Sequence, residues 1–317
     1  MQWKKLGKIF DPTIHPAFKR FVGYAQSPQA LVLSDRIRIY FSIRELDKMG
    51  KFLSQISFVD FDLTLTSIIA TAETSVIGLG ELGTFDEHGI FPFSPVIIGD
   101  AIYAYTCGWS RRVSVAVETS TGLVISKDGG LNFERLGTGP VLTSTLDEPF
   151  LVGDSFVRFY NGFFHMWYIF GTKWDYFPSE DAPDRVYKIA HATSKDRINW
   201  IKESRQIIES KLNEDECQAL PTVLYFGNKY HMFFCYRYAT GFRKKMERGY
   251  RIGYAFSTDL INWFRQDDEV GIDVSPGNWD ADMLCYPNVF QCGDKIYMVY
   301  NGNEFGKYGF GLAVLEE

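Results

Sequence analysis

The chain has 317 residues, of which 46% are apolar and 16% aromatic, and its formal net charge is −6. An acidic balance of this kind argues against a nucleic-acid partner and against a membrane-surface partner. The sequence contains no apolar run of 18 residues and so predicts no membrane-spanning helix. Its first residues, MQWKKLGKIFDP, lack the apolar segment of a secretory signal, and we therefore expect a cytoplasmic protein.

Five short apolar strands recur along the chain at a nearly constant interval. Each leads into a turn and an aromatic-rich second strand, as in VRFYNGFFHMWY and VLYFGNKYHMFFCY. The strands are predicted to begin near Pro28, Pro95, Ser155, Pro221 and Pro287, at steps of 67, 60, 66 and 66 residues. A fixed period that contains only hairpin-like strands is typical of a β-propeller.

The predicted fold class is all-β, with one five-bladed β-propeller forming a single domain over residues 1–317. The last blade ends at GFGLAVLEE without an outer strand, so the opening segment WKKLGKIF is predicted to supply that strand and close the ring. In blades two to four a third strand carries a Ser-x-Asp turn ahead of an aromatic residue, which marks Trp200 and Trp263 as framework. The predicted blades span residues 22–64, 85–136, 146–203, 214–266 and 280–315.

The cysteine and histidine patterns predict neither a metal site nor a cofactor. The five cysteines form no CxxC pair, and buried free thiols in a reducing compartment are expected. The five histidines are scattered, and His165 and His231 occupy equivalent blade positions, which favours packing roles. The glycine-rich stretch GLGELG lacks the strand-to-helix context of a dinucleotide site.

Acidic residues stand shortly before the inner strand in four of the five predicted blades. This position in a propeller projects into the central depression, where converging carboxyl groups raise one another's pKa and suit general acid–base catalysis. The alternative is that each acid caps a turn. These acids are Asp86 and Glu87, then Asp147 and Glu148, then Glu214, Asp215 and Glu216, and finally Asp280 and Asp282; blade one has none between Pro12 and Pro28.

Aromatic and basic residues near these acids favour a carbohydrate ligand. Trp109 and Trp174 follow the hairpins of blades two and three, although both could equally fill gaps between blades. The blade-three insertion KWDYFPSEDAPDR is acidic, and the blade-four insertion YRYATGFRKKMERGYR is basic. A basic loop in an acidic protein could hold a phosphate group, or it could be a solvated hairpin. Arg237, directly after the second strand, is the member predicted to point inward.

The chain resembles the five-bladed propeller glycoside hydrolases, the superfamily that includes families 32, 43 and 130. It is most similar to the glycosidase-like propeller proteins of bacterial surface-polysaccharide biosynthesis clusters. The segments that carry this resemblance are WKKLGKIF, GELGTFDEHGIFP, GLVISKDGG, YRIGYAFSTDLINW, DDEVGIDV, WDADMLCYP and YNGNEFGKYGFGLAV. The resemblance implies a propeller over nearly the whole chain and an activity on carbohydrates.

Residue by residue, the resemblance implies specific roles. Glu216 followed by Cys217 resembles the pair that supplies the acid in family 32, and Glu148 followed by proline stands where a carboxylate steadies the transition state. Blade one has Tyr24 and no carboxylate where the furanosidase families place a nucleophile or base. Phosphorylases of the family 130 type use phosphate in place of a second carboxylate. Under that scheme Asp86 is the predicted general acid.

The sequence therefore predicts a carbohydrate-active enzyme, of the glycoside hydrolase or phosphorylase kind, acting at a glycosidic or anomeric bond. The predicted catalytic residues are Asp86, Glu148 and Glu216. The predicted substrate-binding residues are Tyr24, Glu87, Trp109, Asp147, Trp174, Asp215, Arg237, Asp280 and Asp282. The ligand is expected to be a glycan precursor or sugar phosphate from surface-polysaccharide metabolism. The alternatives are a non-catalytic sugar-binding propeller and a scaffold within a polysaccharide-synthesis complex.

Overall fold

A computed structural model describes residues 1–177 and 181–316 of the protein. Within these ranges the chain forms five four-stranded antiparallel sheets, each of which is one blade of a propeller. Contacts between the inner strands of successive blades run around the ring, and the strand of blade five also contacts that of blade one. The predicted single-domain, five-bladed, all-β architecture is confirmed.

The strands of each blade follow the chain from the central axis outward. Blade one contains β2 (Gln26–Val32), β3 (Ile37–Leu46), β4 (Phe52–Phe61) and β5 (Ile68–Thr71). Blade two contains β6 (Ile90–Ile98), β7 (Ala101–Arg111), β8 (Val117–Ser126) and β9 (Glu134–Arg135). Blade three contains β10 (Val152–Tyr160), β11 (Phe163–Asp175), β12 (Asp184–Ser194) and β13 (Ile201–Lys202). Blade four contains β14 (Glu216–Phe226), β15 (Lys229–Tyr238), β16 (Arg251–Ser257) and β17 (Phe264–Arg265).

Blade five combines the two ends of the chain. Its strands are β18 (Cys285–Cys292), β19 (Lys295–Asn301), β20 (Phe310–Leu315) and, at the outer edge, β1 (Trp3–Phe10). β1 pairs with β20 in antiparallel register from Trp3 opposite Leu315 to Phe10 opposite Phe310. The predicted closure of the ring by the N-terminal strand is therefore confirmed. Blade one, by contrast, extends past its predicted end at 64, because β5 lies in what was predicted to be a connection.

All five inner strands carry a β-bulge at the same place. The register with the second strand shifts after Gln26, Ile90, Gly153, Ala219 and Cys285. The first bulged residues are Ser27, Phe91, Asp154, Leu220 and Tyr286, and all of them except Phe91 have positive φ. The next residue is Pro28, Pro92, Ser155, Pro221 or Pro287, and proline suits a bulge because it has no N–H to contribute to the ladder. The predicted repeat point at Pro95 was wrong, since the equivalent residue is Pro92.

The predicted Ser-x-Asp turns are equivalent in blades two, three and four. The serine hydroxyls of Ser126, Ser194 and Ser257 each donate to the following aspartate and accept from backbone N–H groups of the turn. The indole groups of Trp200 and Trp263 each donate to a backbone carbonyl of the same turn. These turns hold the outer edge of blades two, three and four, and Trp200 and Trp263 are framework residues, as predicted.

Helical structure is confined to short turns in the described chain. The 3₁₀ turns are Pro16–Phe18, Met246–Arg248 and Asp267–Glu269, and a single helical turn spans Asn303–Gly306. Glu304 and Phe305 within that turn both have left-handed backbone angles. No helix among these residues is long and apolar enough to cross a membrane. Cys107, Cys217, Cys235 and Cys285 are buried free thiols, as predicted, and Cys292 is partly exposed.

Candidate functional site

A cavity of about 410 Å³ opens at the end of the propeller where the inner strands begin. Every blade contributes to its wall, because each inner strand starts at this end and its bulge turns side chains toward the axis. Aromatic rings form much of the wall. These are Tyr24, Phe52, Phe91, Trp109, Tyr187, Phe242, Tyr250, Tyr286 and Phe305. A concave, largely aromatic cavity with a few polar groups is the usual form of a small-molecule site.

Asp154 is the acid that lines this cavity in the described chain. It is the first bulged residue of β10, so its position corresponds to Ser27, Phe91, Leu220 and Tyr286 of the other blades. The side chain is buried and accepts a hydrogen bond of 3.4 Å from the backbone N–H of Leu220. Burial raises the pKa of Asp154 to about 7, although the Leu220 N–H and the charge of Arg185 act in the opposite direction. Asp154 can therefore hold a proton near neutral pH.

Arg237 is a buried cation that reaches the cavity from β15. Its guanidinium donates to the carbonyls of Tyr238 and Ala239 and to the hydroxyl of Tyr187, at 2.8–3.2 Å. The ring of Phe242 lies 3.5 Å from the guanidinium carbon. Arg237 has no carboxylate within 4 Å among the described residues, and its buried Nε has no hydrogen-bond acceptor there. A buried polar group without a partner is unfavourable unless a ligand supplies one.

Tyr187 and Tyr250 extend the hydrogen-bond network of Arg237. Their hydroxyl groups lie 2.7 Å apart, and Tyr187 also accepts from Arg237. Burial raises the pKa of Tyr187 to about 12, so the phenol stays protonated at neutral pH. The pair has two hydroxyl protons and one hydrogen bond between the two oxygens. One hydroxyl proton is therefore left to donate to a ligand, whichever tyrosine is the donor.

Arg44 lines the cavity from β3, in the position of blade one that corresponds to Arg237 in blade four. The equivalence follows from the registers, because Ser42 and Cys235 each pair with the last residue before the bulge and each arginine comes two residues later. The guanidinium donates to Gln26 at 2.8 Å and to Ser54. Burial lowers the pKa of Arg44 to about 10, which leaves the group protonated at neutral pH.

Arg185 and Arg243 add positive charge on the blade-three and blade-four side of the cavity. Both lie 3.4 Å from the carboxylate of Asp184, which they share. With Arg44 and Arg237 they form a set of cavity-lining arginines that outnumbers the nearby carboxylates. The cavity is therefore positively charged even though the whole chain is acidic, and it favours an anionic ligand.

Three of the residues predicted from the sequence line the cavity, namely Tyr24, Trp109 and Arg237. Trp109 donates from its indole nitrogen to Ser54 at 3.0 Å and stacks on His88 with ring centroids 5.6 Å apart. Tyr24 contacts Phe52 edge to face. These contacts fix both rings at the blade-one and blade-two side of the cavity.

The three predicted catalytic acids and the predicted binding residue Asp280 lie elsewhere, in ion pairs with the outer strand of their own blade. Each is buried and pairs with a lysine or arginine at 2.6 Å. The pairs are Asp86 with Arg135 of β9, Glu148 with Lys202 of β13, Glu216 with Arg265 of β17 and Asp280 with Lys5 of β1. Further hydrogen bonds complete them, such as that from Tyr168 to Glu148 at 2.6 Å. None of these four carboxylates is among the described residues that line the cavity.

The remaining predicted residues are also outside the cavity wall of the described chain. Asp147 is exposed, and Asp215 is exposed and pairs with Lys173 at 2.7 Å. Glu87 accepts from the backbone N–H of Gly83, and Asp282 is half-buried beside the 301–306 segment. Trp174 lies under the guanidinium of Arg185. The acidic blade-three insertion falls partly at 178–180, outside the described residues.

Sequence reasoning missed Asp154, Arg44, Arg185, Tyr187 and Tyr250. A signal for Arg44 was present, since FSIR in blade one aligns with FCYR in blade four. A signal for Asp154 was weaker, because only knowledge of the bulge shows that its side chain turns toward the axis. The residues described contain no group of three His, Cys, Asp or Glu side chains placed to bind a metal.

Solved structures with a similar fold include glycoside hydrolases and a phosphorylase. A glycoside hydrolase matches with a TM-score of 0.76, 16% identity and coverage of 99% of this chain and 91% of the other. The β-1,2-mannobiose phosphorylase of Listeria innocua matches with a TM-score of 0.68 and 14% identity, covering 100% and 97%. A thermostable family-43 glycoside hydrolase matches with a TM-score of 0.65 and 11% identity, covering 92% and 88%. The chain thus has the five-bladed propeller fold of families 43 and 32 and of the mannobiose phosphorylase.

Sequence relatives define the family more narrowly. The uncharacterized protein Rv1502 of Mycobacterium tuberculosis (strain ATCC 25618 / H37Rv) is 33% identical over 317 residues, which is 100% of both chains. The chain belongs to the same protein family as Rv1502. The 1,2-β-oligomannan phosphorylase of Thermoanaerobacter sp. (strain X514) is 27% identical over 159 residues, or 49% of each chain. No protein-family model matches the chain.

Proposed function

We propose that the protein is a carbohydrate-active enzyme that transfers a glycosyl group between a glycan and phosphate. The observation that carries this proposal is that one aromatic cavity contains both a buried carboxyl group whose pKa is about 7 and Arg237, a buried cation that has no carboxylate of its own in the described chain. The first group suits proton transfer at neutral pH, and the second suits a phosphate group.

Asp154 is the proposed general acid. General acid catalysis is most effective when the pKa of the acid is close to the working pH, and burial brings Asp154 to that range. Its carboxyl group has only the Leu220 N–H as a hydrogen-bond partner in the described chain, so one oxygen is free to face a ligand. A protonated Asp154 would give its proton to the glycosidic oxygen as the bond to the anomeric carbon breaks.

Arg237 and Arg185 are the proposed phosphate ligands. Arg237 has an unpartnered Nε, and the Tyr187–Tyr250 pair has a hydroxyl proton to donate beside it. A phosphate held there would supply the nucleophile, because the cavity wall offers no second carboxylate among the described residues. A phosphate oxygen would bond to the anomeric carbon while the glycosidic carbon–oxygen bond breaks. The proton that phosphate releases would restore Asp154.

The aromatic wall is the proposed binding surface for the sugar rings. Tyr24 and Trp109, predicted from the sequence, lie on the side of the cavity away from Arg237. Their flat faces offer apolar contact at low conformational cost, and the indole N–H of Trp109 is held by Ser54. The catalytic roles predicted for Asp86, Glu148 and Glu216 stay hypotheses, and their ion pairs with the outer strands favour a structural role instead.

The comparisons support this proposal by analogy. Two relatives, one by sequence and one by fold, are phosphorylases of β-1,2-linked mannosides. A setting in surface-polysaccharide metabolism rests on the resemblance noted in the sequence. A cytoplasmic location rests on the buried free cysteines and fits a reaction that needs cellular phosphate.

The test is a phosphorus NMR assay in both directions. Purified protein is incubated with inorganic phosphate and a panel of oligosaccharides, and with glycosyl 1-phosphates and sugar acceptors. We expect conversion between free phosphate and glycosyl phosphate by the native chain and by the control variant Asp147→Asn, whose exposed carboxyl lies on the same blade. Asp154→Asn should be inactive. Sugar binding without turnover across the panel would replace the proposal with a non-catalytic sugar-binding propeller.

A further inference from the structure

We propose that the ligand of this cavity carries two anionic groups, one bound at Arg237 of blade four and the other at Arg44 of blade one. The inference rests on the proposed function and deepens it, because it predicts that the glycan substrate itself is acidic. Arg44 and Arg237 occupy equivalent positions in blades one and four. These blades are not neighbours in the ring, so the two guanidinium groups enter the cavity from different sides.

The surroundings of Arg44 are those of a prepared anion site. Gln26 and Ser54 accept from the guanidinium, and the indole of Trp109 donates to the same Ser54 hydroxyl. Both acceptors are neutral, and no carboxylate lies within 4 Å of Arg44 in residues 1–177 and 181–316. A positive charge that is held rigidly in a cavity and lacks a counter-ion binds a carboxylate or phosphate through charge-assisted hydrogen bonds.

The two arginines have separate hydrogen-bond partners, and Phe305 contacts the surroundings of both. Phe305 packs its ring on Phe242 and Tyr250, next to Arg237, with centroids 6.0 and 6.2 Å apart. Its carbonyl accepts a 2.8 Å hydrogen bond from Gln26, which holds Arg44. Phe305 therefore lies next to both cationic sites. A sugar ring that packs against this aromatic side chain would direct one anionic group to each end.

The chemical class that fits is a glycan whose sugar bears a carboxylate or a phosphate ester. The anion at Arg237 is then the phosphate that enters or leaves at the anomeric carbon, near Asp154. The anion at Arg44 is a substituent on the sugar. A uronate and a sugar phosphate share this chemistry, and they differ in charge and in the number of acceptor oxygens.

The experiment is a calorimetric titration of the intact protein with inorganic phosphate, using Arg44→Gln, Arg237→Gln and the charge-preserving Arg44→Lys. We expect two phosphate sites per chain, with one site lost in each glutamine variant and partly restored in Arg44→Lys. Loss of a charge-assisted hydrogen bond should weaken the affected site about 10- to 100-fold. Thermal unfolding of each variant shows that it is folded.

A second arm identifies the source of the anion at Arg44. Glucuronate, glucose 6-phosphate and glucose are compared as competitors for phosphate at the Arg44 site of the native chain, and the acidic sugar that displaces phosphate there identifies the substituent. A single phosphate site that Arg44→Gln leaves unchanged overturns the inference and leaves the proposed function intact. A single site that both glutamine variants lose overturns it as well. No phosphate binding by the native chain would overturn both.

Discussion

Charged side chains occupy two contrasting environments in this propeller. At or shortly before the start of four inner strands, a buried acid pairs with a cation of its own blade's outer strand at 2.6 Å. In the cavity, Arg44 and Arg237 meet no carboxylate within 4 Å, and Asp154 meets no cation within that distance, as far as the described chain extends. The first set recurs in four blades and is fully ion-paired, whereas the members of the second set occur in only one or two blades and form no ion pair within the described residues.

This difference teaches how to interpret a repeated residue in a propeller. A charged residue that recurs at one position in successive blades serves a structural role common to those blades. In blades two to four this role is to hold an outer strand of only two residues. A carboxyl group occurs at the position of Asp154 in one blade only, because the other blades have Ser27, Phe91, Leu220 and Tyr286 there. No structural role common to the blades therefore requires it. Asp154 departs from the repeat, and it is the residue to which we assign chemistry.

The largest expected effect separates Asp154 from Asp86 in the enzymatic reaction. Asp154→Asn should lower kcat by about 10²–10⁴-fold, because the amide cannot release a proton. Asp86→Asn should leave kcat within about tenfold of the native value, a smaller change than loss of a general acid causes. It should lower the unfolding temperature, because the ion pair with Arg135 is lost. Rates and thermal unfolding are measured on the same preparations. A folded Asp86→Asn protein without activity would restore Asp86 as the general acid.

The next effect concerns stability and compares two arginines. Arg265→Gln leaves Glu216 and the nearby Asp267 without their cation, and removing one partner of a buried pair costs about 3–5 kcal/mol. Arg44→Gln should cost less than about 1 kcal/mol, because only neutral groups lose a partner: Gln26 lines the cavity and can be hydrated, and Ser54 still accepts from Trp109. Urea unfolding of both variants measures the difference. Equal losses would mean that Arg44 is a structural residue.

The fold could be predicted from the sequence because each blade repeats the same pattern. The hairpins, the Ser-x-Asp turns and the missing outer strand of blade five are all visible as local signals. The ion pairs were visible too, although they were not recognised. A basic residue follows the aromatic of each turn by two positions, as Arg135 follows Phe133, Lys202 follows Trp200 and Arg265 follows Trp263.

The site was harder to predict, and the reason lies in the bulge. Side chains alternate along a regular strand, but an extra residue reverses the alternation locally. Whether Asp154 faces the axis therefore depends on the register shift after Gly153, which local sequence does not encode. Likewise, Arg44 lies far from Asp154 in sequence, and only closure of the ring brings both to one cavity.

A third prediction uses the pKa of Asp154. The folded protein holds a proton on Asp154 up to about pH 7, whereas the unfolded chain releases it near pH 4, so stability should fall as pH rises between these values. From pH 5 to pH 7 the loss should be about 2–3 kcal/mol. Urea unfolding at both pH values gives this loss for the native chain. The same measurement on Asp154→Asn gives the contribution of the other groups, which is subtracted. Identical pH dependence in the two proteins would mean that Asp154 is ionised throughout.

The smallest effects test whether the repeated elements act independently. Ser126, Ser194 and Ser257 are buried, and each hydroxyl accepts from turn N–H groups and donates to an aspartate. Replacing any one by alanine should cost about 1 kcal/mol. The turns lie in separate blades and share no partners, so the losses should add within about 0.5 kcal/mol in the triple variant. Urea unfolding of the three single variants and the triple variant measures this sum. A loss of unfolding free energy in the triple variant well above the sum would show that the blades are energetically coupled at their outer edges. The repeated residues would then act across blades, which would weaken their contrast with the residues of the cavity.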